Sequence, residues 1–197
     1  MLDCRMLILQ PRGTIKDLSL ITVLTALCVG GSYALIGIPN VNVMDVVVFV
    51  TGFAFGIPIG VSVGVLTWAV YGAINPLGYS LPIWITTMLT QSLFGLTGGL
   101  VGRGTPSSMK GHFSLEMGLW GLLLTIIYDL ITNLAFAAVF NVPVLAAIVS
   151  GWLIPPWFGI LHEVSNFLLF SLAVYPLTRA IQTMRGGDKL WVNEPGF

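Results

Sequence analysis

Residues 44–74 read MDVVVFVTGFAFGIPIGVSVGVLTWAVYGAI, and this stretch decides the fold. Its single charged residue is Asp45, and it is longer than the roughly 20 apolar residues that cross a bilayer once. Pro58 lies between Gly56 and Gly60, where a buried chain can turn. The stretch therefore predicts two short helices, of about 13 and 16 residues, that pack as a hairpin within a membrane.

The flanking sequence is also free of cationic side chains. No Lys or Arg lies between Lys16 and Arg103, or between Lys110 and Arg179. All eight cations fall in three short clusters: Arg5, Arg12 and Lys16; Arg103 and Lys110; and Arg179, Arg185 and Lys189. Positive clusters of membrane proteins stay on the cytoplasmic side, so each gap should hold an even number of membrane-spanning helices.

The composition agrees with a membrane protein. The chain is 56% hydrophobic and 8% charged, and its mean hydropathy is +0.94. Its net charge of zero argues against binding nucleic acid, because no basic surface exists to neutralise phosphates.

We therefore expect an all-α polytopic membrane protein with six transmembrane helices and both termini in the cytoplasm. A cytoplasmic tail over 1–16 precedes a membrane domain over 17–182, and a second tail covers 183–197. The predicted spans are 17–38, the two helices of 44–74, then 82–103, 115–140 and 157–182, with a short, partly inserted segment at 144–154.

Polar side chains interrupt the later apolar stretches. A charge within a membrane costs a few kcal/mol, so such groups mark a functional site or a satisfied partner. We expect them to line a cavity that opens to the exterior, although they could instead bond to one another between helices. The candidates are Gln91, Asp129, Asn133, His162, Glu163 and Asn166, with Asn75, Tyr79 and Trp84 at the rim.

The charge of this outer half favours a neutral or cationic ligand. Asp45, Asp129 and Glu163 fall there without any Lys or Arg, so a polyanion would be repelled. A metal site is not expected, because the sequence His162-Glu163-Val164-Ser165-Asn166 lacks the second histidine of the H-E-x-x-H zinc motif.

The first predicted helix carries small residues at every fourth position, namely Ala26, Gly30 and Ala34. Such a stripe lets helix backbones approach closely. It could pack within the chain or against another membrane subunit, whereas the glycines of the later helices should pack within the chain.

Taken in order, these features resemble the substrate-binding S components of energy-coupling factor (ECF) transporters. The resemblance covers 17–182 and rests on T-A-L-C-V-G-G-S-Y-A, on G-F-A-F-G-I-P-I-G-V-S-V-G and on the N-P-L-G turn. It implies a multi-pass protein of a bacterial or archaeal cell membrane that captures a vitamin or related micronutrient. It also implies that Ala26, Gly30 and Ala34 contact the coupling membrane protein.

In that family substrate binds near the outer surface. The corresponding residues here are Asn40, Asn75, Gln91, Asn133, His162 and Asn166, and among them only Asn40 is new to the candidates given above. The chain has no G-x-x-x-x-G-K-[ST] phosphate loop. The resemblance implies that two partner ATPases use the ATP and that this chain carries no cofactor.

The sequence is also compatible with two other functions. A membrane-embedded enzyme would use Asp129, His162 and Glu163 as acid and base groups. A structural assembly protein would bind no small molecule.

Overall fold

The computed structural model describes residues 15–75, 78–104, 114–154 and 157–184. It is 87% helix, with no strand in these ranges, so the all-α prediction is confirmed. The seven helices are α1 (Ile15–Ala34), α2 (Met44–Phe55), α3 (Ile57–Ala73), α4 (Leu81–Gly104), α5 (Leu115–Phe140), α6 (Val144–Leu153) and α7 (Phe158–Met184). The two longest helices are α5 and α7. The limits of α5 are the predicted ones, those of α7 lie within two residues of the predicted ones, and α6 occupies the predicted short segment.

The turn between α2 and α3 consists of Gly56 alone. Its φ of 93° and ψ of 165° suit a residue without a Cβ. The Gly56 N–H donates to the Gly52 carbonyl at 2.8 Å, and Pro58 lies in the first turn of α3, where a missing N–H costs no helical bond. The predicted hairpin at Gly56 and Pro58 is therefore confirmed.

The first helix ends at Ala34, so its predicted extension to residue 38 is wrong. The Ile38 N–H instead donates to the Leu35 carbonyl at 2.8 Å, as in a tight turn. Pro39 disfavours the helical conformation at Ile38, and Asn40 adopts a left-handed φ of 53°. Hydropathy did not indicate this helix end, because residues 35–38 carry no polar side chain.

Glycines bring α2, α3 and α4 into close contact. A Cβ added to Gly52 or Gly60 would overlap the backbone of Gly95, and one added to Gly64 would lie 2.9 Å from the Gln91 carbonyl oxygen. In this packing α4 runs antiparallel to α3 and parallel to α2. The prediction that these glycines pack within the chain is confirmed. Glycines also bring α5 and α7 into close contact, because Gly118 faces Ser171 and Gly121 faces Phe170.

The helix directions place the described cations together. Lys16 begins α1, Arg103 ends α4 and Arg179 lies near the end of α7, which is one end of the bundle, called here the cation end. The opposite loop end holds the connections α1–α2 and α3–α4 together with α6. Arg5, Arg12, Lys110, Arg185 and Lys189 lie outside the described residues.

Three described helices are long and apolar enough to cross a membrane: α1, α5 and α7. They expose large aliphatic side chains such as Leu27, Leu123 and Leu168, which suits contact with lipid. The chain is therefore a membrane protein. At 12 residues, α2 is about 18 Å long, which is shorter than the hydrocarbon layer of a bilayer. The number of membrane spans and the side of the membrane on which the termini lie stay predictions.

Candidate functional site

Asp45 is the centre of a buried polar network in the loop-end half of the bundle. It lies in the first turn of α2 and is 2% exposed. Its Oδ1 accepts from Gln91 Nε2 of α4 at 2.8 Å. Its Oδ2 accepts from Asn166 Nδ2 of α7 at 2.7 Å and lies 2.9 Å from His162 Nε2. Three helices thus meet at one carboxylate.

His162 links this carboxylate to a second one. Its Nδ1 lies 3.0 Å from Asp129 Oδ1 and 3.3 Å from Oδ2, on α5. The ring also packs edge-on against Tyr128, with ring centroids 5.8 Å apart. Because both ring nitrogens face carboxylate oxygens, neither is free to act on a substrate as a base.

Asn166 is fully buried and completes the network. Besides Asp45, its Nδ2 contacts Thr125 Oγ1 at 2.7 Å. The Thr125 hydroxyl donates to the Gly121 carbonyl, so it accepts from Asn166 and fixes the orientation of the amide. The amide oxygen, Oδ1, has no hydrogen-bond partner in the part of the chain that the structure describes.

A small pocket lies beside the network at the α3–α4 connection. Its volume is about 40 Å³, enough for a few water molecules but far below the 300 Å³ or more typical of ligand pockets. Asn75, Tyr79 and Trp84, the predicted rim residues, all line it. Trp68 connects the pocket to the network, because its indole N–H donates to Gln91 Oε1 at 3.0 Å.

The structure brings together four of the predicted site residues: Gln91, Asp129, His162 and Asn166. They are buried, and hydrogen bonds to Asp45 and His162 connect them. Asn133 is partly buried and packs against Gly151 of α6. Asn40 donates from Nδ2 to the Phe158 carbonyl at 3.0 Å and ties the α1–α2 loop to α7. These two residues are therefore near the loop end but outside the network.

Glu163 also stays outside the network. It is partly buried on the side of α7 that faces Trp152 of α6. No hydrogen bond among the described residues joins Glu163 to Asp129 or His162, although Glu163 lies near enough to both for their charges to interact. Within the described residues, no group of three or more His, Cys, Asp or Glu side chains is arranged to hold a metal ion.

Three residues of the site were not among the predicted site residues: Asp45, Thr125 and Trp68. Asp45 carried a usable signal, since it is the only charge in the apolar stretch 44–74 and has no neighbouring cation. Thr125 carried none, because threonines that bond to their own helix are common. Trp68 carried no specific signal either, because tryptophans near helix ends are common as interfacial anchors.

The small-residue face of α1 is open. Ala26, Gly30 and Ala34 are all exposed, and a Cβ added at Gly30 would meet no atom of the described residues within 4 Å. The opposite face of α1 packs inward through Thr25, Cys28 and Ser32. The stripe is therefore not used for packing within the described chain, in contrast to the glycines of α2, α3 and α4.

Comparison with known protein families, with curated proteins and with solved structures gave no match.

Proposed function

We propose that the chain is the substrate-binding membrane subunit of an ECF-type importer. It captures a vitamin or a related micronutrient outside a bacterial or archaeal cell and delivers it for ATP-driven uptake. A coupling membrane protein and two ABC ATPases are the partners, and the ATPases use the ATP.

The observation that carries this proposal is the open stripe of α1. Small side chains normally allow two helices to pack closely, and lipid alone does not require them. Among the described residues, Gly30 has no neighbour on another helix, while Gly52, Gly60 and Gly95 each contact another helix. A second membrane protein that packs against Ala26, Gly30 and Ala34 would give this face the contacts it lacks.

The loop end supports a role in ligand capture. Aromatic side chains Trp68, Tyr79 and Trp84 surround the small pocket there, beside a network that contains two carboxylates. The described cations lie at the other end. A neutral or cationic ligand with a ring suits these surroundings. Because the pocket is small, we expect the α1–α2 and α3–α4 loops to move apart when a ligand enters.

The docking face can be tested with bulky substitutions on α1. Ala26→Trp and Gly30→Leu should each abolish uptake into cells while the purified variant still binds its ligand, because the network and the pocket are untouched. Leu27→Trp is the matched control, since Leu27 is 56% exposed on the same helix but lies beside the stripe. Co-purification of the coupling protein should fall with uptake.

Normal uptake in both stripe variants would show that this face is not the docking surface. Equal loss in Leu27→Trp would point to a general effect of bulk on α1.

A further inference from the structure

One of the chain's own side chains partly fills the pocket at the α3–α4 connection. The Trp84 indole lies in a notch on α3 that exists because residue 72 is glycine. A Cβ added to Gly72 would overlap Trp84 Cδ1 and lie 2.8 Å from Nε1. The Trp68 ring forms the next wall, since its Cε3 atom would be 3.2 Å from the same Cβ. The notch therefore holds a planar ring where another residue would place a side chain.

The notch also offers a hydrogen-bond acceptor to the group that occupies it. Trp84 Nε1 donates to the backbone carbonyl of Trp68 at 2.8 Å. A carbonyl inside a helix accepts from the N–H four residues further on and keeps a second lone pair. Here the residue four positions on is Gly72, which has no side chain to cover that lone pair. A planar ring with an N–H at its edge thus matches both the shape and the polarity of the notch.

The two tryptophans of the pocket are held in different ways. The Trp68 indole donates to Gln91, which is 1% exposed and itself donates to Asp45. Trp84 is partly exposed in the first turn of α4, and the ring beside it belongs to Tyr79, which is 58% exposed. The buried network therefore fixes Trp68, while Trp84 is the side chain that can leave the pocket.

The size of the pocket requires such a movement before a ligand enters. The free volume is about 40 Å³, whereas ligand pockets usually have at least about 300 Å³. When the Trp84 indole leaves, its own volume is added to the pocket, and the notch and the Trp68 carbonyl become accessible together. The ligand then meets the surroundings that the indole occupied.

We propose that Trp84 is the gate of the ligand site and that the ligand is a planar nitrogen heterocycle. The heterocycle replaces the Trp84 indole in the notch at Gly72 and donates a ring N–H to the Trp68 carbonyl. The carbonyl thus keeps a second donor in the closed and in the occupied state. This inference rests on the proposed capture function and names the chemical class that the site selects.

Indole and benzofuran test the ligand class, because their shapes are nearly the same and only indole has an N–H. Trp84→Ala protein in lipid nanodiscs should bind about one indole per chain in calorimetric titration, after subtraction of the signal from empty nanodiscs. Benzofuran should bind about tenfold more weakly, the factor that corresponds to one hydrogen bond. Adding Gly72→Ala to this variant should abolish indole binding, because the new methyl group fills the notch.

Trp120→Ala is the matched control for the creation of a cavity. It removes the same side chain from α5 near the cation end, where Trp120 packs against the core. This variant should not prefer indole over benzofuran.

Trp84→Phe tests the gate itself. Phenylalanine keeps a ring in the notch but has no N–H for the Trp68 carbonyl, so it should hold the gate closed less firmly. The affinity for indole should therefore rise from the wild type to Trp84→Phe and again to Trp84→Ala, because a closed gate lowers the apparent affinity by the fraction of open sites. The comparison of wild type with Trp84→Phe remains decisive if Trp84→Ala does not fold.

Four outcomes would overturn the proposal: no indole binding in either Trp84 variant, equal affinity for indole and benzofuran, indole binding that Gly72→Ala leaves unchanged, or equal affinity in the wild type and Trp84→Phe. None of these measurements uses transport. Indole binding of the expected pattern in a chain that imports nothing would refute the transport role alone. An imported ligand without a ring N–H would refute this inference alone.

Discussion

At the scale of single residues, the structure depends on the hydrogen bonds that stabilise the Asp45 carboxylate inside an apolar helix bundle. A buried carboxylate is tolerated only when donors surround it, and Gln91, Asn166 and His162 supply three. Each donor comes from α4 or α7, so the anion also holds these helices to α2. The polar groups therefore have a structural role whatever ligand binds nearby.

Replacing Asn166 with leucine should destabilise the fold. Leucine has the same branched skeleton as asparagine, but it removes the amide donor from both Asp45 and Thr125 Oγ1. We expect a loss of about 1–3 kcal/mol in the free energy of unfolding, measured by denaturant titration in detergent micelles.

Ser165→Ala is the matched control on the neighbouring position. The Ser165 hydroxyl donates only to the His162 carbonyl of its own helix, at 3.0 Å. This variant should lose a few tenths of a kcal/mol at most. Equal stability of Asn166→Leu and Ser165→Ala would mean that the amide contributes little to the network.

At the scale of helices, glycine has two different uses in this chain. In α2, α3 and α4 it removes the side chain where backbones touch, as at Gly60 and Gly95. In α1, Gly30 has open space beside it. The same residue type therefore serves internal packing in one region and leaves a smooth exposed surface in another.

Alanine at these two positions should give opposite results. Gly95→Ala places a methyl group against the Gly60 backbone and should lower the free energy of unfolding by about 1–3 kcal/mol. Gly30→Ala should be neutral or stabilising by up to about 1 kcal/mol, because alanine favours a helix and no described atom would contact the added methyl group. Thermal unfolding of both variants in the same detergent measures the difference.

A clear loss of stability in Gly30→Ala would show that α1 packs on this face within the chain. The proposed docking surface would then be occupied already.

The helices were largely predictable from the sequence, because local signals fix them. Gly56 and Pro58 indicated the α2–α3 turn, and the cation-free stretches indicated which ends lie together. The end of α1 at Ala34 was not predictable from hydropathy, since 35–38 remain apolar. The network was only partly predictable: the polar residues of α4, α5 and α7 were recognised, but their contact with Asp45 depends on how α2 packs between α4 and α7, which hydropathy does not encode.

At the scale of the whole molecule, the two ends of the bundle differ in chemistry. Lys16, Arg103 and Arg179 lie at the cation end, while the loop end holds Asp45, Asp129 and a group of aromatic side chains. This polarity suits a protein that has its positive end in the cytoplasm and its loop end outside. The exposed stripe of α1 runs along the side of the bundle, where a membrane partner can reach it.

The most direct test of the proposed function is mass spectrometry of small molecules released by heat from the purified chain. The account predicts a single neutral or cationic compound, about one per chain, that leaves chemically unchanged and protects the protein against thermal unfolding. A chain that carries no small molecule, or that converts the compound into a product, would contradict it.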